Sequence, residues 1–277
     1  MNALPFEKPL EETNLAIIAA IKAGKAVTEI YNTDFSTQFK GENDPVTEAD
    51  LKSNEIIIKI LLKTGLPILS EESDDDKNRL NHHKIWIVDP LDGTKEFIKK
   101  NGEFSIMIAL IKDNLPVLGV VYQPTTKMLY VAQKDQGAYV KKKQDKWSML
   151  SVSNTPSIIN SRAVVSKSHL SDKDRKFLDY IEADKFFQKG SAGLKVGEIA
   201  QGNAEFYFNS SNKLKVWDSC AAYCIIKEAG GKMTDMQGND LKYNTKVVNH
   251  PFGLLVTNEK IHDDIVKKYK KFIQETL

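Results

Sequence analysis

Two aspartates three residues apart end an apolar run in "WIVDPLDGTKEF". The preceding "KIWIV" predicts an interior strand, since its apolar residues leave little room for a solvated face. Asp89 then lies at the end of the strand, and Pro90 fixes a turn that lets the Leu91 carbonyl and the Asp92 carboxylate point back to one volume. Two carboxylates and a carbonyl are hard oxygen ligands, which suit magnesium rather than zinc. The sequence therefore predicts a site for a divalent cation.

A short helix is predicted directly after this turn. Gly93 allows close backbone approach, and the residues from Thr94 onward form a first helical turn, whose free N–H groups favour an anion. These two residues are therefore expected to face an anion. A purely structural alternative stays open, in which Asp92 caps that helix and Asp89 ends a strand.

Three further segments place acids in matching settings. "ILSEES" ends another apolar strand with Glu71 and Glu72, at a carboxyl end that is expected to face a crevice. "DPVTEAD" contains Asp50, and "VWDSCAA" sets Asp218 at the start of a helix. Helix capping competes with ligand binding at both of these positions, because Thr47-x-x-Asp50 is also a capping box.

Together these motifs carry a family resemblance. "DPVTEAD", "SEES", "WIVDPLDGT" and "VWDSCAA" resemble, in the same order, the motifs of the lithium-sensitive, magnesium-dependent phosphomonoesterase superfamily that includes inositol monophosphatase and 3'(2'),5'-bisphosphate nucleotidase. The resemblance covers about residues 40–235 and is greatest to the nucleotidases of the CysQ type. It implies an α/β fold of the sugar-phosphatase, or inositol-monophosphatase-like, type. That fold is a layered αβαβα sandwich with an α+β N-terminal half and an α/β C-terminal half.

The resemblance also implies catalytic roles. Two or three magnesium ions would be held by Glu71, Asp89, the Leu91 carbonyl, Asp92 and Asp218. Asp50 would lie near a further metal and orient Thr94. Glu71, Thr94 and Asp50 would then be the catalytic residues, and a metal-activated water would attack phosphorus directly, without a phosphoenzyme. Because an acidic pocket repels a phosphate monoester, the metal-free protein is expected to bind substrate poorly.

The second half of the chain carries the motifs for the substrate. "VVSKSHLSD" and "KGSAGLKVGEIAQGNAEFYF" are similar to the stretches that lie near the nucleotide in bisphosphate nucleotidases. Lys195 lies on an otherwise small and apolar helix, where a cation needs a partner such as a phosphate. For His169, simple exposure at a helix start is an equal alternative. The residues expected to contact adenosine and its second phosphate are Ser166, Ser168, His169 and Lys195.

The implied reaction converts 3'-phosphoadenosine 5'-phosphate to AMP and phosphate. The residues expected at the substrate as a whole are Glu71, Leu91, Asp92, Gly93, Thr94, Ser166, Ser168, His169, Lys195 and Asp218. One rival is inositol monophosphate hydrolysis on the same metal cluster. The other is a non-catalytic module that binds metal and phosphate, which the presence of both Glu71 and Thr94 argues against.

Composition excludes several other classes of function. With 277 residues, 41% hydrophobic and 27% charged, and a formal net charge of +2, the chain has no bulk charge that favours a nucleic acid polymer or a membrane. No segment approaches the roughly 18 apolar residues of a membrane helix, and the N-terminus lacks a signal-peptide pattern. A cytoplasmic location is expected, with peripheral membrane association left open. The sequence does not determine the oligomeric state.

Alternating helix and strand patterns must position these residues. Helices are predicted over Leu10–Tyr31, from "DPVTEAD" to about Lys63, over Asp172–Ile181, Gly193–Gln201 and "DSCAAYCIIKEAGG", and at the end of the chain to Gln274. Strands are predicted at "LPILS", "KIWIVD", "SIMIALIK", "PVLGVVYQ", "MLYVAQ", "RAVVS", "AEFYF" and "GLLVT".

Two further predictions concern organisation. A composition shift near "KKKQDKWSML" suggests a boundary at about residue 150, between a metal-binding half, 1–150, and a nucleotide-contacting half, 151–277. Cys220 and Cys224 are expected to be reduced and half-buried on one face of a helix, because they are four residues apart.

Overall fold

The computed structural model describes residues 3–41, 44–183 and 185–276. Within these ranges the α-helices are α1 (Glu11–Tyr31), α2 (Glu48–Leu61), α3 (Thr94–Ile98), α4 (Asp172–Tyr180), α5 (Ala192–Ala200), α6 (Cys220–Glu228) and α7 (His262–Thr276). Short 3-10 helices cover Leu62–Thr64, Asn78–Asn81 and Val216–Asp218. The strands are β1 (Thr37–Gly41), β2 (Asp44–Thr47), β3 (Ile68–Ser70), β4 (Lys84–Asp92), β5 (Ser105–Lys112), β6 (Leu115–Gln123), β7 (Met128–Gln133), β8 (Ala138–Lys142), β9 (Ser148–Met149), β10 (Ala163–Ser166), β11 (Phe186–Lys189), β12 (Phe206–Asn209), β13 (Lys232–Thr234) and β14 (Leu254–Thr257).

The helices and strands with a strong local sequence pattern were predicted well. The helices and strands expected from hydrophobic periodicity are all present, with ends within a few residues of those predicted. Gly65 ends the 3-10 helix Leu62–Thr64 that continues α2, and its φ of +68° lies in the left-handed region that favours glycine. Asp113 and Asn114 both have positive φ, 51° and 67°, as a tight turn between β5 and β6 requires.

The layers confirm the predicted αβαβα sandwich. One sheet has the strand order β3-β4-β5-β6-β7-β8-β9, and α1 and α2 cover one of its faces. The other face packs on α5 and α6, which also contact the second sheet, of order β11-β10-β12-β14-β13. α4 and α7 cover the outer face of that second sheet. The strand "KIWIV" is therefore interior, since β4 lies between β3 and β5.

α6 lies close against the first sheet at a glycine. A Cβ atom added to Gly119 in β6 would lie 2.3 Å from the carbonyl oxygen of Ala221, so only glycine fits there. Cys220 and Cys224 share α6, and both are free thiols. The prediction that they are half-buried is wrong, because a helix between two sheets is covered on both sides: they are 0% and 2% exposed.

The boundary at about residue 150 stays a prediction. The first sheet ends at Met149 and the second begins at Ala163, which agrees with a change of sheet at this point. One hydrophobic cluster nevertheless contains residues of both sheets, including Ile87 of β4 and Val256 of β14. The two halves are packed on a common core.

Among the described residues, no helix is both long enough and apolar enough to cross a bilayer. The cytoplasmic location stays a prediction.

A buried histidine joins α7 to the second sheet. His262 is 1% exposed, with Nε2 2.9 Å from the Thr234 hydroxyl and Nδ1 2.9 Å from the Thr257 hydroxyl. Because the Thr234 hydroxyl donates to the Asp235 carbonyl, it accepts from Nε2–H, and the Thr257 hydroxyl donates to Nδ1. This arrangement needs a neutral ring. Desolvation, followed by the charge of Lys232, lowers the pKa of His262 to about 4.

We expect His262 to make the fold acid-sensitive. Its folded pKa lies below the unfolded value near 6.5, so its stabilisation is complete above pH 6.5 and is lost as the pH falls toward 4. The loss amounts to on the order of 1.4 kcal/mol per pH unit in this window. Urea unfolding at pH 7.5, 6.0 and 5.0 should show a shallower pH dependence for His262→Gln than for the unmodified protein. His83→Gln is the matched control, because the side chain of His83 is 92% exposed; equal slopes for all three proteins would contradict the assignment.

Candidate active site

Parallel pairing of β3 and β4 brings the first two acids together. Ser70 lies opposite Val88 in the register, so the next residues along each strand are Glu71 and Asp89. The backbone N–H of Glu71 donates to the Val88 carbonyl at 3.2 Å, which extends the pairing by one step. Glu71 and Asp89 therefore lie side by side, just past the last paired residues of β3 and β4. β4 itself continues to Asp92, so the predicted strand end at Asp89, with a turn at Pro90, is wrong.

A bulge in β4 places Asp89 and Asp92 on the same face of the sheet. Residues three apart in a regular strand point to opposite faces. Here Asp89 lies opposite Met107 and Asp92 lies opposite Ser105, so three steps along β4 match two steps along β5. The extra residue falls in the Pro-Leu segment, where proline cannot donate to the ladder. The proline therefore turns an alternating strand into one with two carboxylates on a single face.

Asp218 reaches the same place from the other half of the chain. It ends the 3-10 helix before α6, and its Oδ2 accepts from the Lys215 N–H at 2.7 Å. Side-chain oxygens of Glu71, Asp89 and Asp218 all lie within 4.8 Å of one another. These three residues form the acidic cluster.

The acidic cluster fits a divalent cation. Asp89 is 1% exposed, and its pKa is raised well above its usual value by desolvation and then by the charges of Glu71, Asp92 and Asp218. Desolvation and Glu71 raise the pKa of Asp218 in the same way. Crowded carboxylates with hard oxygen donors suit a divalent cation such as magnesium, whose positive charge would offset theirs.

Asp92 lies beside the acidic cluster and has a structural task as well. Its Oδ2 accepts from the Gly193 N–H at 3.0 Å and from the Ser191 hydroxyl. It therefore caps α5, which comes from the other half of the chain. The alternative that it caps the helix directly after it is wrong, since Gly93 opens α3 without a side-chain cap.

Asp50 and Thr94 are joined, as the resemblance implies. The Thr94 hydroxyl donates to Asp50 Oδ1 at 3.0 Å and lies 3.3 Å from the Leu91 carbonyl oxygen. Asp50 Oδ2 accepts from the N–H and the hydroxyl of Thr47, so the capping box is also present. Desolvation raises the pKa of Asp50 to about 6 despite these donors.

Gly93 has a backbone that other residues rarely adopt, with φ of +98°. A Cβ atom added there would lie 3.1 Å from the Glu103 carbonyl oxygen and 3.4 Å from the Ser191 nitrogen. Close approach of the chain at this turn is therefore confirmed. Whether Gly93 and Thr94 hold a phosphate stays a prediction.

The serines and the histidine expected at the nucleotide lie together after β10. Ser166 is buried, and its hydroxyl accepts from the His169 N–H at 3.1 Å. The Ser168 hydroxyl donates to buried Glu96 at 2.5 Å and accepts from Lys99 at 2.9 Å. His169 itself is exposed, as the surface alternative predicts.

The charges of three lysines nevertheless act on the His169 ring. Desolvation, and then the charge of Lys95 with smaller effects of Lys195 and Lys99, lowers the pKa of His169. The charge of Glu96 opposes this shift, so one acid acts on His169 against three lysines. An anion would find a favourable field here.

Lys195 has a protein partner instead of open solvent. It is 4% exposed, and its ammonium group donates to the Ser191 carbonyl at 2.8 Å and lies 5.0 Å from the centre of the Tyr207 ring. Desolvation lowers its pKa, and Asp92 and then Glu96 oppose that shift. The predicted role of Lys195 at the substrate is untested, but its cation offsets Asp92.

Sequence reasoning missed three residues of this neighbourhood. Ser191 and Ser105 contact each other at 2.9 Å beside Asp92, and Glu96 is the buried acceptor of the Ser168 hydroxyl. Glu96 could have been found, because it directly follows the metal-site motif in "DGTKEF". The serines carry no such signal, since isolated serines occur throughout the chain.

Known proteins match the chain over most of its length. A sequence model of the inositol monophosphatase family matches residues 9–274. The 3'(2'),5'-bisphosphate nucleotidase CysQ of Buchnera aphidicola is 36% identical over 232 residues, which cover 81% of this chain and 84% of that protein. The nucleotidase CysQ of Escherichia coli strain K12 is 34% identical over 235 residues, with coverage of 82% and 92%.

Solved structures also match the chain over most of its length. CysQ from Bacteroides thetaiotaomicron, a bacterial member of the inositol monophosphatase family, superposes with a TM-score of 0.77 at 32% identity and covers 90% of this chain and 97% of that one. The extragenic suppressor protein suhB from Bartonella henselae gives a TM-score of 0.80 at 27% identity, with coverage of 93% and 98%. With its acidic cluster, its Thr94–Asp50 pair and its layered sandwich, the chain belongs to the inositol monophosphatase family.

Proposed function

We propose that the protein is a magnesium-dependent 3'(2'),5'-bisphosphate nucleotidase. It removes the 3'-phosphate of 3'-phosphoadenosine 5'-phosphate, a small-molecule substrate, to give AMP and phosphate. The observation that carries this proposal is the acidic cluster of Glu71, Asp89 and Asp218 next to the Thr94–Asp50 pair. The identity of 36% and 34% to proteins named CysQ supports the nucleotide as the substrate.

Five groups would hold two or three magnesium ions: Glu71, Asp89, the Leu91 carbonyl, Asp92 and Asp218. When bound, magnesium supplies the positive charge that offsets the carboxylates and the phosphate, and it lowers the pKa of bound water.

Thr94 and Asp50 prepare the attacking water. Because the single hydroxyl hydrogen of Thr94 goes to Asp50, the lone pairs of its oxygen are left to accept from a water. Glu71 takes a proton of that water as it attacks phosphorus in line with the ester oxygen. The P–O ester bond breaks, and the leaving oxygen takes up a proton to become the 3'-hydroxyl of AMP. Asp50 thus acts on the water through Thr94, and Glu71 acts on it directly.

The substrate extends from the start of α3 toward residues of the second half of the chain. Gly93 and Thr94 hold the phosphate that is removed, at the start of α3. The basic surroundings of His169, with Lys95 and Lys99, suit the second phosphate. Ser166, Ser168 and Lys195 shape this side of the site.

The test is phosphate release by the purified protein from 3'-phosphoadenosine 5'-phosphate and from inositol 1-phosphate at equal concentration. We expect release from the nucleotide with magnesium, none after addition of a chelator, and a clear preference for the nucleotide. A preference for inositol 1-phosphate would favour the alternative function of an inositol monophosphatase, a name also carried by a Thermotoga maritima structure with a TM-score of 0.81 at 25% identity. No release from either compound would favour a non-catalytic module that binds metal and phosphate.

His169 provides a test of the nucleotide side alone. Because it is exposed and lies outside the acidic cluster, His169→Ala should leave the fold and the reacting groups intact. We expect a KM for the nucleotide raised by about tenfold, the effect of roughly 1.4 kcal/mol of lost contact, with a nearly unchanged KM for inositol 1-phosphate. Steady-state kinetics with both substrates measure this, and His83→Ala is the control. An equal change in KM for both substrates would show that His169 does not contact the nucleotide.

A further inference from the structure

Ser191 has a strained backbone at the start of α5. Its φ of +57° and ψ of 132° lie in a region that residues other than glycine rarely occupy. The residue is 4% exposed, so the conformation is not that of a loose surface loop. Such strain persists only where the surroundings hold it in place, and it concentrates at functional sites.

The Ser191 hydroxyl uses all of its hydrogen-bonding capacity. It donates to Oδ2 of Asp92, and it accepts from the Leu194 N–H at 3.1 Å. Its third contact is the hydroxyl of Ser105, at 2.9 Å. Since the one hydrogen of Ser191 goes to Asp92, Ser105 is the donor in this contact. Ser105 is 0% exposed and lies opposite Asp92 in the β4–β5 register.

These contacts fix one oxygen of Asp92. Oδ2 accepts from the Ser191 hydroxyl and from the Gly193 N–H at 3.0 Å. Among the described residues, every hydrogen bond to this side chain goes to Oδ2. Oδ1 is therefore the oxygen that remains for a ligand from outside the chain. Asp92 is close enough to the acidic cluster for its charge to raise the pKa values of both Asp89 and Asp218.

We propose that Ser191 is a positioning residue for Asp92. Its hydroxyl joins α5 to β4 and holds the Asp92 carboxylate so that Oδ1 meets the cation of the acidic cluster. This role rests on the proposed function. It also explains a strained serine where glycine would fit more easily: glycine would adopt this backbone freely but has no hydroxyl. The backbone of Ser191 is held as well, because the ammonium group of Lys195 donates to the Ser191 carbonyl at 2.8 Å.

The test separates strain, capping and positioning. Ser191→Gly removes the hydroxyl and relieves the strain, whereas Ser191→Ala removes the hydroxyl and keeps the strain. Ser171→Gly is the matched control, because Ser171 also caps a helix, accepting from the Asp174 N–H at 3.1 Å, but does so at α4, on the outer face of the second sheet. Each protein is titrated with magnesium alone while its Tm and its heat of binding are recorded, and kcat and KM are then measured with saturating magnesium.

We expect Ser191→Gly to keep its Tm in metal-free buffer and to need about tenfold more magnesium for half-saturation, in the range seen when an outer contact of a metal site is lost. Its kcat should fall more than its KM rises. Ser191→Ala should show the same magnesium requirement with a lower Tm, and Ser171→Gly should bind magnesium like the unmodified protein.

An unchanged magnesium requirement in a folded Ser191→Gly protein would overturn the positioning role. If both Ser191→Gly and Ser171→Gly needed about tenfold more magnesium, the effect would come from the loss of a helix cap and not from the positioning of Asp92. If the unmodified protein releases no phosphate but magnesium raises its Tm, the proposed function fails while the positioning role is still decided by the titration. If magnesium neither binds nor raises the Tm of the unmodified protein, both are rejected.

Discussion

Glu71→Gln is expected to reduce kcat by about 10²–10⁴-fold, the usual contribution of a general base. The amide keeps the size of the side chain but cannot take a proton from water. The β3–β4 pairing depends on the backbone N–H of Glu71, which the change leaves in place. The amide oxygen can still serve as an oxygen ligand of the cation, so substrate binding should remain largely intact at saturating magnesium. Single-turnover phosphate release, together with equilibrium binding of the nucleotide, measures the two effects separately.

Asp74→Asn is the control for this variant. Asp74 is an exposed carboxylate three residues further along the same loop, so it tests the loss of one negative charge near the site without touching the acidic cluster. We expect its kcat to be nearly unchanged. Unchanged turnover in Glu71→Gln would rule out Glu71 as the general base. A similar loss of kcat in Glu71→Gln and Asp74→Asn would show that the loss comes from a change in the loop and not from a missing base.

Asp89→Asn is expected to abolish function and to stabilise the metal-free protein at the same time. Oδ1 of Asp89 accepts from the Leu91 N–H at 3.0 Å, and the amide oxygen of asparagine keeps this bond. The change removes a buried charge that Glu71, Asp92 and Asp218 repel. Because the folded pKa of Asp89 is raised, its favourable contribution to stability is lost as the pH rises through that value, and asparagine escapes this loss.

The measurement is Tm at pH 7.5 with a chelator and with magnesium. In the chelator, we expect Tm to rise by about 2–4 °C, the shift that roughly 1 kcal/mol gives in a large domain. Magnesium should no longer raise the Tm, and turnover should fall by more than about 100-fold, since even the outer contacts of metal sites are worth 10–100-fold.

Asp174→Asn should give the opposite stability result. Asp174 is also buried, at 2% exposed, but its two oxygens accept from the backbone N–H groups of Ser171 and Ser210. Asparagine keeps only one of these acceptors, so this variant should have a lower Tm and a normal response to magnesium. A lower Tm for Asp89→Asn in the chelator would show that the carboxylate is not under electrostatic strain.

These expectations depend on a site that the sequence revealed only in part. Asp89 and Asp92 could be named because they follow an apolar strand pattern, and Glu71 because it ends another, since such strand ends meet at the edge of a sheet. Asp218 was named as a metal ligand only through the family resemblance. The helices with clear apolar periodicity were predictable from that pattern. The strands that were missed, among them β1, β8 and β11, have only 5, 5 and 4 residues, which is too short for an alternating pattern to be recognised.

The sequence by itself determined the chemistry of this protein: oxygen ligands at the ends of strands, a threonine at the start of a helix and an α/β order of elements. Only the tertiary structure decided how these groups meet. The bulge at Pro90 turns Asp92 to the side of Asp89, and the packing of α5 against the first sheet gives Asp92 its contact with Ser191. Side-chain direction in a strand depends on register, and register depends on the neighbouring strand, which lies far away in the chain. For that reason the ligand types could be read locally, whereas the residue that positions one of them could not.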